Sequence, residues 1–136
     1  MREIHINTKK RTELIDITSR VVSELKEEGG EKGVCVVYVP HTTAGVTINE
    51  NADPTVCQDL LAGLERIAPL KGEYRHREGN ADAHIKASIV GSSVMVVVED
   101  GRLKMGTWQG IFFCEFDGPR SRRVWITWIP CQTGAA

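Results

Sequence analysis

Apolar and polar residues alternate over 3–7 and again over 13–17, with a polar stretch at 8–12 between them. The period of two predicts two strands joined as a hairpin. Thr18 or Ser19 is placed to cap a helix reaching about residue 28, with Val21, Val22 and Leu25 on one face and Gly29-Gly30 ending it. Residues 34–39 are apolar on both faces and rich in β-branched side chains, as a central strand requires. A short strand follows at 46–48. Asp53-Pro54 pairs a cap residue with proline at the first helical position, opening a helix whose Val56, Leu60, Leu64 and Ile67 share a face.

From 70 to 81 the chain is polar and contains glycine, which predicts a long loop. Asp82 can cap a short helix to Val90 with Ile85 and Ile89 turned inward. The rest is β: a strand over 94–98, a tight turn at Asp100-Gly101, then strands over 108–116 and 122–129 split at Gly118-Pro119. The pattern predicts one α+β domain over 1–136, mainly antiparallel, with seven or eight strands and about three helices.

Composition narrows the function. Hydrophobic residues make up 41% and charged residues 26%, ordinary for a folded chain. The net charge of −1 supplies no global field for nucleic acid, which counts against RNA binding through Arg120, Arg122 and Arg123. The apolar runs are too short to span a bilayer, and none follows Met1 as a secretory signal would. A cytoplasmic protein without a membrane partner is expected. Its four cysteines form no Cys-x-x-Cys pair and are expected to be free.

Several polar groups stand out against this frame. His41-Thr42-Thr43 leaves a core strand, where a rigid scaffold can present a base, a ligand or hydroxyls for anionic oxygens. Asn49 and Glu50 lie at a strand-to-helix junction, and Asp53 beside them is explained as a cap. On the next helix His84 and Ser88 are four apart and share a face, with Asp82 and Lys86 close by. His84 falls in the first turn, where the helix dipole favours a neutral imidazole that can accept a proton or bind metal. His41, His76 and His84 could converge on one divalent ion, since three imidazoles and a water form a known zinc arrangement. Gly106 and Thr107 lead into Trp108 and Gln109, a flat face with an amide beside it. Glu115 and Asp117 are two apart on a strand, on the face opposite Phe112, Cys114 and Phe116; such a pair can hold Mg²⁺, trade protons or be a solvated face. Of the arginines, Arg120 after Gly118-Pro119 is the better site candidate, with Arg122 and Arg123 expected to be exposed.

These motifs together resemble the YjbQ-type family, whose members are regarded as secondary thiamine-phosphate synthases. The resemblance rests on S-V-M-V-V-V-E-D-G-R-L-K-M-G-T-W-Q-G-I from Ser93, H-T-T-A-G-V-T-I-N-E-N-A-D from His41, Y-R-H from Tyr74, N-A-D-A-H-I-K-A-S from Asn80 and E-F-D-G-P-R from Glu115. Gly45 departs from it, because alanine is common there in the family. The resemblance implies a homotrimeric α+β fold and a cluster of His41, Glu50, Asp82, His84, Trp108, Gln109 and Glu115. The implied reaction joins a pyrimidine diphosphate to a thiazole phosphate and releases pyrophosphate, as a main or side activity. Its departing charge calls for Mg²⁺ or for cations such as Lys86 and Arg120. A metal-dependent hydrolase, or a metal- or metabolite-binding module without turnover, would use many of the same residues.

Overall fold

The computed structural model describes residues 1–132. In chain order the elements are β1 (Arg2–Asn7), β2 (Glu13–Asp16), α1 (Thr18–Glu27), β3 (Gly33–Tyr38), β4 (Ala44–Glu50), α2 (Pro54–Ile67), α3 (Ala81–Val90), β5 (Ser93–Glu99), β6 (Arg102–Leu103), β7 (Gln109–Glu115) and β8 (Ser121–Pro130). The strands form two sheets, a larger one ordered β1-β8-β3-β5-β6 and a smaller one ordered β2-β7-β4. Every pairing is antiparallel. The main core joins Ile4, Ile6, Val37, Val96, Val124 and Ile126 of the large sheet to Val46, Ile111 and Phe113 of the small one. Helix α1 adds Val21 and Leu25 to it.

The first two strands do not pair with each other. β1 pairs with β8 and β2 with β7, so residues 8–12 cross between the sheets. That crossing is tied to the β7–β8 corner by Thr8 N–H to Arg120 O at 2.9 Å and Gly118 N–H to Arg11 O at 2.9 Å. The alternating pattern matches the burial of β1, whereas β2 is half-buried on both faces, with Ile15 on the main core and Leu14 near Cys114 and Phe116; the partners of both strands come from the far end of the chain. The β5–β6 hairpin does form at Asp100-Gly101, with both residues at positive φ (52° and 71°), the geometry of a two-residue turn.

α1 buries the expected Val21 and Leu25, whereas α2 and α3 depart from expectation. The N-cap of α1 is Ile17 rather than Thr18 or Ser19, and Asp16 just before it accepts through Oδ1 from Thr18 N–H at 2.9 Å and from its hydroxyl at 2.6 Å. α2 opens as predicted, with the Asp53 carboxylate accepting from Thr55 N–H at 2.9 Å. It lies on the outside, however, and Ile67 is exposed. α3 reverses its predicted face: Ile85 and Ile89 are exposed while Asp82, Ala83, Lys86 and Ala87 are buried. Ala83 and Ala87 pack against Cys114 and Phe116 in a second small core. Their size permits a close approach that isoleucine would prevent. Asp82 then lies inside the first turn, and Asn80 takes the cap position without a capping side-chain bond. Gly45 permits another close approach, since a Cβ there would lie 2.5 Å from the Gly91 carbonyl oxygen.

Candidate active site at one end of the small sheet

The register of β4 against β7 sets the layout. Ala44 pairs with Glu115 and Glu50 with Gln109, six residues further on. At a strand rise of about 3.4 Å per residue, the two ends lie roughly 20 Å apart. His41, Thr42, Thr43 and Glu115 therefore stand at one end. Asn49, Glu50, Trp108 and Gln109 stand at the other, with Gly106 and Thr107 leading into it. One chain does not bring the anticipated cluster together.

The first end opens on a cleft of about 780 Å³. The loop after β3 supplies His41 and Thr42, the long loop His76 and Asn80, and α3 His84. Arg120 and Asp117 come from the β7–β8 corner, and Tyr38 and Trp125 from the large sheet. Tyr38 and Trp125 are cross-strand partners whose rings stack at 5.9 Å and 24°. His76 meets His84 edge-on, with centroids 5.2 Å apart. A second hollow of about 470 Å³ shares His41, Thr42 and His84, and Ser88 lies on its wall. The Ser88 hydroxyl itself donates to the His84 carbonyl at 2.9 Å. Among the described residues, no three His, Cys, Asp or Glu side chains are placed to hold a metal ion.

Beneath this cleft lies an ion pair that the sequence reading did not anticipate. Glu115 is fully buried, and Arg122, expected to be exposed, is 4% exposed. Arg122 Nε donates to Glu115 Oε1 at 2.9 Å, and its Nη2 donates to Glu115 Oε2 and, at 2.8 Å, to Thr43 Oγ1. Thr8 Oγ1 adds a bond to Glu115 at 2.7 Å, and the amides of Phe116 and Asp117 add two at 3.1 Å. Burial alone would push this carboxyl up. The bonds from Arg122, Thr8 and the Asp117 amide outweigh it and hold the carboxyl below the usual glutamate range. So occupied, Glu115 and Thr43 brace the loop carrying His41. Glu115 does not form a solvated pair with Asp117.

Asp82 and Lys86 are bound in the same way. Lys86 Nζ contacts Asp82 at 3.3 Å and also Glu65 of α2, and Arg11 reaches Asp82 at 3.0 Å. Both are 1% exposed and serve the packing of α3 rather than the cleft wall. Asp117 is bonded by Asn80 and by Arg120, each at 2.9 Å. Burial would raise its carboxyl, but those bonds and the charges of Arg120 and Arg11 hold it below the usual aspartate range. The exposed side of the Arg120 guanidinium remains available.

His41 is held by a backbone donor, Arg123 N–H to its Nε2 at 2.9 Å. Burial first, and then the charge of Arg122, keeps its pKa below the ordinary histidine value. At the far end Trp108 is 63% exposed, and Gln109 Oε1 accepts from Gly106 N–H at 2.8 Å. Asn49 Oδ1 accepts from the Glu50 amide at 2.7 Å. All four cysteines are free. Burial, with Glu28 nearby, pushes the Cys35 thiol up to about 11, and burial likewise pushes Cys114 up, so neither is a ready nucleophile.

Sequence reasoning missed Tyr38, Asn80, Arg122 and Trp125 as parts of this end. For Arg122 a signal existed. It alternates in phase with Val124 and Ile126, which are buried.

Known proteins resemble this chain over nearly its whole length. The family model described as UPF0047 protein YjbQ-like matches residues 2–131. UPF0047 protein YugU of Bacillus subtilis is 54% identical over 127 residues, covering 93% of this chain and 96% of that protein. UPF0047 protein MJ1081 of Methanocaldococcus jannaschii is 52% identical over 121 residues, 89% and 88% of the two chains. A crystal structure of a conserved YjbQ/UPF0047 family protein from Clostridium acetobutylicum superposes with a TM-score of 0.93 at 51% identity, covering 95% of this chain and 100% of that one. With a family match over residues 2–131 and relatives more than 50% identical over most of their length, the chain belongs to the UPF0047 family of YjbQ-like proteins.

Proposed function

We propose that the cleft is the active site of an enzyme acting on a phosphorylated small molecule, with thiamine-phosphate synthase-like transfer as the activity to assay. The observation that carries this reading is the meeting of three histidines and Arg120 on one polar cleft with a stacked aromatic wall. Arg120 and Thr42 would hold phosphate oxygens, and a planar pyrimidine fits against Tyr38 and Trp125. His84 is the proton acceptor, being free of the ion pairs that occupy Glu115 and Asp82. The test supplies hydroxymethylpyrimidine diphosphate and thiazole phosphate and measures pyrophosphate release. Turnover is expected, falling about 10²- to 10⁴-fold in His84→Ala with thermal unfolding unchanged. A well-folded His84→Ala protein with full activity sinks this assignment. Binding without turnover would favour a metabolite-binding module instead.

Homotrimer assembly belongs to the same reading. Trp108 and, on the outer face of the large sheet, Met95, Val97 and Ile129 stand exposed. We infer that copies pack head to tail, so that the Trp108–Gln109 end of one closes the cleft of the next. If so, mixing inactive His84→Ala and Trp108→Ala chains restores part of the activity, because some mixed sites hold both native residues. No restoration in mixed trimers would show that the two ends never meet.

A further inference from the structure

The contact that fixes His41 also limits what it can do. β8 pairs with β3 only from Trp125 onward, where Trp125 faces Tyr38, the last residue of β3. On its other side Arg123 is matched to His5 of β1. The Arg123 amide therefore lies beyond the end of β3, and His41 Nε2 accepts its hydrogen at 2.9 Å in place of a strand carbonyl. A backbone N–H can only donate, so Nε2 must present a lone pair. An imidazolium, or a ring protonated on Nε2, would set one N–H against another. In the neutral ring the single proton then resides on Nδ1. Nδ1 has no protein partner among the described residues, and His41 lines the cleft.

Resting on the reading of the cleft as a phosphorylated-substrate site, we propose that His41 is a neutral hydrogen-bond donor, giving its Nδ1–H to an anionic oxygen of the bound ligand. It is not the base, and proton acceptance falls to His84 across the same cleft. The buried Glu115–Arg122 pair becomes intelligible on this view. Arg122 bonds Thr43, two residues from His41, while the next residue, Arg123, supplies the amide that sets the tautomer. One buried ion pair thus anchors both sides of the donor.

The decisive measurement is the tautomer of His41 in ¹⁵N-histidine-labelled protein, read from long-range nitrogen–proton spectra before and after addition of inorganic pyrophosphate. The Nδ1–H form is expected in the free protein and in the complex, with the Nδ1 resonance shifting on binding. Two variants extend the test. An asparagine amide can stand where Nδ1–H stands, whereas a glutamine carbonyl can accept from Arg123 but leaves no donor there. His41→Asn should hold pyrophosphate within about threefold of the native affinity, and His41→Gln should lose about tenfold or more, the worth of one hydrogen bond to a charged group. An Nε2–H ring or an imidazolium, or undiminished binding by His41→Gln, overturns the proposal while leaving the substrate reading in place. Pyrophosphate that shifts neither the His76 nor the His84 resonances, both from the same cleft, overturns the substrate reading, and the donor role with it. The wild-type spectrum stands independently of whether either variant folds.

Discussion

The two ends of the small sheet carry similar residues and use them differently. At the Ala44 end, Glu115 is fully buried and bonded to Arg122, Thr8 and two backbone amides. At the Glu50 end, Trp108 in the turn before β7 and Gln109 at its first position are both exposed, and Gln109 Oε1 accepts from the nearby Gly106 amide. A carboxylate sealed in this way has no free lone pairs for a substrate; it sets the position of its neighbours. Exposed side chains at a rigid strand end contribute little to stability and are free to meet a ligand or a partner. The comparison therefore separates residues that hold the site from residues that use it.

The contrast is sharpest in stability. Glu115→Ala strands a buried guanidinium and should cost about 3–5 kcal/mol, measured by urea unfolding. A loss under about 1 kcal/mol would mean that the pair is solvated and the comparison mistaken. Lys86→Ala should cost less, roughly 2 kcal/mol, because Arg11 still partners Asp82.

Acid titration probes the same asymmetry. The Glu115 carboxyl is held below its ordinary value, so its contribution is complete above about pH 4.3 and is lost as pH falls through the lower folded value. Asp117 acts in the same direction. Wild-type stability should therefore fall more steeply with acid than that of Glu115→Gln, and parallel curves would contradict the assignment. Smallest of all, Trp108→Ala should change the stability of the single folded chain by no more than about 0.5 kcal/mol, measured by the same unfolding at protein concentrations too low for copies to assemble. A loss of several kcal/mol would make Trp108 a packing residue and erase the difference between the two ends.

How far the site was legible in the sequence can be judged from three residues. Glu115 stands out in the sequence, but its spacing groups it with Asp117, opposite Phe112, Cys114 and Phe116. Ile111 and Phe113, which share its face and are buried, were the overlooked sign that this face also points inward. Arginine is usually solvated, which points Arg122 outward, whereas its phase with the buried Val124 and Ile126 points it inward. His84 was placed correctly at the start of a helix, yet the isoleucines that seemed to define that helix's buried face are exposed. Hydrophobicity alone misjudged α3, because Asp82 and Lys86 satisfy each other's charge and so can be buried beside two alanines.

By itself the sequence determined the strand and helix inventory, the tight turn at Asp100-Gly101, the Asp53-Pro54 helix start and the family motifs, because these depend on near neighbours. The tertiary structure decided the rest. It sent β1 and β2 to different sheets, put Glu50 and Trp108 about 20 Å from His41 along the strands, and set the Arg123 amide against His41. Each of these depends on pairing between residues far apart in the chain, and no local spacing encodes which strand will stand beside which.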